Sequence, residues 1–423
     1  MKHLITYIFI LFIFANLTIS LLGWYTSNKE QGMSFNQQTT IIDTIWQSFI
    51  PQKSQKKNKK NNKSIIDPPA SIIKIKQLVN SITEAKPAFQ HTYIESYGLL
   101  QRLLGRQLME DASVDNDVVK QPNGQLNFFG KINSIYTSHE ESTDTNLIRK
   151  NISILKKHIN NYSPSSKLYF IARLNKHYGL SPYNLRGGSE EEYTQKEHLF
   201  TEIIESMGIP ILNLNEYISN NREAIFYNTD HHWRIEYAFK QLPLICKFLN
   251  INDSIYTEKH FKLINSQKRF IGSLTKRTGS WFTPLSDTCK YYKPIFETSF
   301  TAEYYSTSNT LLLRKGKLEQ TLLFEEFLHD KFDANLYNVC NKGDNPLVKI
   351  INHNDNIHGN ILLLGDSFSA PLITYLALSY QKMDCIDLRS CSTEVLYTMI
   401  KKNKYDSILL VYPSYYDNKM YCF

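Results

Sequence analysis

Between residues 361 and 412, short apolar runs alternate with amphipathic stretches. That alternation restricts the fold more than any other feature of the chain. I-L-L-L at 361–364, the stretch 383–388 and the stretch 407–412 read as strands. Residues 370–380 and 392–402, between them, read as helices. Strands separated by helices are not joined as hairpins. They favour a parallel sheet covered by helices, an α/β fold.

The rhythm extends upstream. Leu147–Ile159 has helical spacing, Lys167–Ala172 reads as a strand, and a helix is expected from a capping box at Ser189-Glu-Glu-Glu192 to Met207. A short strand follows at 211–214, and Trp233–Leu249 is again helical. Residues 71–110 carry helical spacing, and 124–136 hold a short strand between glycines. The segment 256–305 is rich in Gly, Thr and aromatics and is expected to be an insertion of irregular loops and strands. One domain is therefore placed at 67–423, with that insertion inside it.

The N-terminal end is different. Leu4–Tyr25 has no charged residue, and as a helix its 22 residues would extend about 33 Å, enough to cross the hydrocarbon layer. The run is longer than the ~7–15 residues of a signal-peptide core, and no clean cleavage site follows. Residues 1–25 are thus expected to be a single-pass signal anchor, and the polar 26–66 a Lys/Asn-rich stalk. Lys2 argues for the bulk of the chain lying outside the cytoplasm. The lysine run argues the other way, but it begins 28 residues after Tyr25, beyond the ~15–20 residues over which positive charge sets orientation.

The net charge of +8 depends on that run. Without Lys53, Lys56, Lys57, Lys59, Lys60 and Lys63 the balance is +2. The globular part therefore gives no reason to expect a nucleic-acid partner. Six cysteines stand at 246, 289, 340, 385, 391 and 422. None forms a C-x-x-C pair, so a structural zinc site is not expected.

Two motifs carry chemistry. In I-L-L-L-G-D-S-F-S-A-P, Gly365 permits a tight exit from the strand, and Pro371 suits the first turn of the next helix. Ser367 would then sit on a sharp strand-to-helix turn, with its own amide and the helix N-terminus available to a developing oxyanion. The plainer reading is a serine that merely caps the helix. In N-T-D-H-H-W-R, residues 228–234, Asp230 and one of two histidines provide the base and orienting carboxylate that a serine alcohol needs. The same residues also read as a capped helix start with two packed histidines, or as metal ligands. No further His-rich cluster accompanies them, so neither metal nor cofactor is expected.

Together these residues resemble the D-H-H-W family of SGNH-like proteins, relatives of bacterial alginate O-acetylation proteins. T-D-H-H-W-R and L-L-L-G-D-S-F-S are the specific matches. Phe270–Gly279, Ser286–Pro294, Gly343-Asp-Asn-Pro-Leu347, C-I-D-L-R and K-Y-D-S-I-L-L-V are similar to further blocks.

The resemblance implies a flavodoxin-like three-layer sandwich with a mostly parallel sheet. It implies Ser367 as nucleophile, His232 as base and Asp230 as its orienting group, with His231 positioning or packing. Asn345 either donates to the oxyanion or stabilises its own turn. Arg389, after a strand end, either binds an anionic group of a substrate or forms a surface ion pair. Trp233 either packs beneath the loop or stacks on sugar. No separate carbohydrate-binding module is expected after the last strand.

The implied activity is serine-dependent O-acetyl transfer onto an extracytoplasmic or envelope polysaccharide. The acetyl donor would be delivered by a membrane-bound O-acyltransferase, and the protein would be anchored in a bacterial cell membrane. An acetyl esterase and a non-catalytic polysaccharide-binding or assembly protein are the alternatives.

Overall fold

The computed structural model describes residues 90–109, 117–121, 123–129, 145–174, 176, 190–217, 225–308, 310–329, 335–413 and 423. The expected anchor at 1–25, the stalk at 26–66 and the capping Ser189 lie outside these. The chain divides into two compact units, Met1–Tyr97 and Gly98–Phe423. Among the described residues no helix is long and apolar enough to cross a membrane.

The first elements are α1 (Gln90–Leu103) and a three-stranded antiparallel sheet of β1 (Leu108–Met109), β2 (Asp117–Lys120) and β3 (Leu126–Phe129). Then come α2 (Thr145–Tyr162), β4 (Lys167–Arg173), α3 (Glu190–Ser206), β5 (Ile211–Asn213), α4 (Ile235–Lys240) and α5 (Leu242–Leu249). They are followed by β6 (Phe261–Phe270), α6 (Ser273–Thr278), β7 (Asp287–Pro294), β8 (Phe300–Tyr305), β9 (Leu311–Gly316) and α7 (Leu318–Thr321). The last are β10 (Leu347–Asn352), β11 (Asn360–Gly365), α8 (Ala370–Leu376), β12 (Lys382–Ile386), α9 (Thr393–Lys402) and β13 (Ser407–Pro413).

The main sheet has eight strands in the order β5-β4-β13-β11-β12-β10-β8-β9. The first five are parallel, and the last three add on antiparallel. The strands alternate their apolar side chains between two cores, as a period of two requires. Tyr169, Ile171, Ile361, Leu363, Leu409 and Val411 face a core shared with α4, α5 and α8. Phe170, Ala172, Leu362, Leu364, Ile408 and Leu410 face the other, shared with α2, α3 and α9. In α2 the buried Ile148, Ile152, Leu155 and Ile159 make one apolar stripe. The result is three layers, with the sheet buried on both sides along its parallel half.

The sheet is parallel in four of its seven pairings, with β10, β8 and β9 added antiparallel. Three expectations need correction. Trp233–Leu249 is two helices, since Pro243 starts a new one at Leu242. The segment 256–305 is more regular than its composition suggests. It holds the antiparallel pair β6–β7, helix α6, and β8, which is a strand of the main sheet. The expected strand at 124–136 is confined, within the described residues, to β3.

The parallel strands place their carboxyl ends along one edge. α8 leaves β11 on one face, and α9 leaves β12 on the other to reach β13 on the far side of β11. This is the kind of crossover point where open α/β sheets bind ligands. Leu347 pairs with Ile386, so the loop before β10 reaches the same edge.

Candidate active site

β11 ends at Gly365, where a Cβ would come within 2.7 Å of Ser369 Oγ. A larger residue there would press on the Ser369 side chain. Asp366 then caps the turn. Its Oδ1 accepts the Phe368 amide at 3.0 Å, and its carbonyl accepts the Ser369 amide at 2.9 Å. Its Oδ2 accepts from Arg173 Nε at 2.9 Å and Nη2 at 2.6 Å. Arg173, the last residue of β4, also lies 3.7 Å from the Phe368 ring centroid. Ser367 heads the turn and is half-buried.

The N-T-D-H-H-W loop meets this turn from the side. His232 Nε2 is 2.8 Å from Ser367 Oγ, and His232 Nδ1 is 2.6 Å from Asp230 Oδ1. With these partners we assign the proton to Nδ1, leaving Nε2 to accept from the serine hydroxyl. The imidazole stacks on Tyr337 at 4.1 Å. Asp230 Oδ1 also accepts the His232 amide, and Oδ2 accepts the Ser273 amide at 2.6 Å. Burial alone would raise the Asp230 carboxyl. The charges of His232 and His231 and these hydrogen bonds outweigh it and hold the group well below the usual carboxylate range.

His231 points elsewhere. Its Nδ1 is 2.7 Å from Ser273 Oγ, and its ring packs 3.9 Å from that of His232. Burial, then the charge on His232 and those on Lys176 and Arg173, lower its pKa. Asp230, His231 and His232 do offer ligand atoms within 4.8 Å of one another. Those atoms are already engaged in the bonds above, and a cation there would have to break the Asp230–His232 contact.

The loop is held by residues that sequence reading passed over. Asp287, at the start of β7, accepts the Asn228 amide and side chain at 3.0 Å each and the Thr229 amide and hydroxyl at 2.7 Å each. Arg234 reaches it at 3.3 Å. At Gly272 a Cβ would stand 2.3 Å from the Thr229 carbonyl oxygen, so α6 starts directly against the loop. Lys176 donates from beneath, to the Tyr227 and Asp230 carbonyls at 2.6 Å each.

The remaining candidates fall out as follows. Trp233 is fully buried, and its indole N–H donates to Tyr337 Oη and the Phe368 carbonyl at 3.1 and 3.0 Å. It ties the histidine loop to the serine turn and offers no face to a sugar. The Asn345 side chain donates to the Asn341 and Gly343 carbonyls at 2.7 and 3.1 Å. Both of its amide hydrogens are thus engaged within its own turn. Arg389 pairs with Asp387 at 2.6 Å and approaches Asp344 at 3.5 Å, so it is an ion pair rather than a free anion receptor. Asn345, Gly365 and Asp387 line a small polar pocket beside the serine turn, about 280 Å³ including space open to solvent. Cys246, Cys289, Cys340, Cys385 and Cys391 are free thiols.

A serine after a central parallel strand, met by a histidine and an aspartate from one loop, defines the class of site. The comparisons agree on the fold. The structure of Bacillus cereus PatB1 with a sulfonyl adduct superposes with a TM-score of 0.56 at 18% identity, covering 73% of this chain and 99% of that one. A DHHW family protein from Eubacterium siraeum gives 0.52 at 17% identity, covering 75% and 96%. At these identities the likeness shows a shared fold. No protein-family model matches the chain, and no curated protein does.

Proposed function

We propose that the chain is a serine O-acetyltransferase acting on a polysaccharide. The observation that carries this is the unbroken hydrogen-bond series Asp230–His232–Ser367. Ser367 Oγ attacks the carbonyl carbon of an acetyl ester while its proton passes to His232 Nε2. Asp230 steadies the imidazolium that forms. The Phe368 and Ser369 amides are taken by Asp366, so the Ser367 amide is the donor of this turn for the oxyanion. The donor C–O bond then breaks, and the leaving oxygen takes the proton from His232. A sugar hydroxyl next gives its proton to His232 and attacks the acetyl-serine, and Ser367 regains its hydrogen.

The apolar segment 4–25 supports a membrane-anchored protein with this unit outside the cytoplasm. An acetyl group would reach it there through a membrane-bound O-acyltransferase. Half-burial of Ser367 leaves water as a competing acceptor, which is the esterase reading.

The test is turnover of an activated acetyl ester, with and without oligosaccharide, and labelling of Ser367 by a sulfonyl fluoride read by mass spectrometry. The PatB1 structure with its sulfonyl adduct recommends that reagent. Ser367→Ala and His232→Ala should each lower turnover by about 10⁴-fold or more. Acetylated sugar in place of free acetate separates transferase from esterase. Wild-type turnover no faster than that of either variant would sink the proposal.

A further inference from the structure

We infer that Lys176 is a positioning residue for this reaction, clamping the carbonyl side of the Asp230 turn while Asp287 clamps its amide side. The inference rests on the serine reading above.

A buried carbonyl needs a donor. The Asn228 carbonyl accepts the Leu126 amide at 2.8 Å, and the Thr229 carbonyl accepts the Thr275 amide at 3.2 Å. The Tyr227 and Asp230 carbonyls, one at each end, accept from Lys176 Nζ alone among the bonds described, at 2.6 Å each. On the opposite side the Asn228 and Thr229 amides point at the Asp287 carboxylate. The peptide units are thus aligned between a buried cation and a buried anion.

This arrangement fixes the Asp230 main chain, and with it the carboxylate that orients His232. Lys176 is itself buried, and its bonds go to carbonyls rather than to a carboxylate partner. An ammonium so placed would be wasteful if its only task were stability, since burial disfavours its charge.

The groups facing Lys176 set how it titrates. Burial lowers its pKa to about 7, against the carboxylates of Asp287 and Asp230, which raise it, while Arg234 lowers it further. The unfolded lysine keeps its proton to about 10.4. Between those values the unfolded chain holds the extra proton, so this group makes the fold more stable as pH rises. Its bonds to the two carbonyls, however, weaken when the charge is lost. Stability and turnover should therefore move in opposite directions with pH, which a purely structural lysine would not produce.

The experiment compares wild type with Lys176→Met and Lys176→Gln, normalising turnover to the Ser367 sites that a sulfonyl fluoride titrates. Lys176→Met should lose turnover per site on the order of 100-fold, with KM little changed. Lys176→Gln keeps two N–H donors and should recover part of it, without the descending alkaline limb expected of wild type as Lys176 loses its proton from about pH 7.

Unchanged turnover per titrated site in Lys176→Met would overturn the inference and leave the serine reading standing. If neither variant folds, the wild-type profile decides: rising urea resistance with falling turnover per site supports it, and flat turnover above pH 7 overturns it. A wild type with no label and no turnover removes both.

Discussion

The histidine loop and the Asn341–Asn345 turn, two walls beside the serine turn, are built on opposite plans. On the histidine wall, the polar groups of Asn228–Trp233 bond to partners far away in sequence: Asp287, Ser273, Lys176, Tyr337 and the serine turn itself. On the facing wall, the Asn345 side chain and the Arg389 guanidinium bond chiefly to neighbours in sequence, with the Asn341 amide to the Leu322 carbonyl and the Arg389–Asp344 contact reaching further. Asn341, Lys342 and Gly343 stand in consecutive left-handed conformations there. The first wall is fixed by the whole fold, as a constellation that must hold its geometry requires. The second is a turn braced mainly by its own Asn345 side chain, and the small polar pocket lies against it. The contrast assigns chemistry to one wall and shape to the other.

The sharpest way to break that assignment is Asp230→Asn. The amide can hold a proton where the carboxylate accepts one, favouring the wrong His232 tautomer. Turnover should fall about 10⁴-fold with the fold retained, read by kinetics and circular dichroism. The carboxylate also leaves a pH signature. Its folded pKa lies below the unfolded value, so its contribution to stability is full above about pH 4 and is lost as pH falls through the folded pKa. Asp230→Asn should remove that part of the acid unfolding.

Asp287→Ala comes next. It strands the Asn228 and Thr229 amides, leaves Arg234 without its anion and removes a charge that favours the Lys176 ammonium. A loss of roughly 3–5 kcal/mol is expected from urea unfolding, by analogy with removing one partner of a buried charge pair. A loss under ~1 kcal/mol would mean that the histidine wall does not depend on the insertion, and the contrast between the walls would fail.

The same contrast explains what could be read from the sequence. The parallel strands were legible because each is a continuous apolar run, and Asp230, His232 and Ser367 because each lies in a short motif. The antiparallel β8–β10 were not, since alternating runs such as F-T-A-E-Y-Y are common outside sheets as well. Arg173, Lys176 and Asp287 were missed because their roles exist only across more than 50 residues of chain. A signal was available for the first two: Arg173 ends a parallel strand and Lys176 follows it, at the carboxyl end where ligand-side residues gather. Asp287 lies inside the Ser286–Pro294 stretch, with nothing local to mark it. For Asn345 and Arg389 the sequence leaves substrate contact and local bonding open, because the neighbours that occupy them come from the turn and the strand end.

Asn345→Ala has the smallest expected effect and discriminates best between the two plans. It removes two hydrogen bonds of a half-exposed turn, so about 1 kcal/mol of stability is expected to go. If the side chain serves only that turn, turnover on an acetyl ester should stay within about threefold of wild type. If substrate draws the amide away from the Asn341 and Gly343 carbonyls and onto the oxyanion, turnover should instead fall on the order of 10²–10³-fold, as when an oxyanion donor is deleted. Those carbonyls would then be unpaired in the working complex, and the facing wall would be a moving part of the chemistry rather than its mould. Measuring kcat alongside KM separates the outcomes, because lost pocket shape raises KM whereas a lost oxyanion donor lowers kcat.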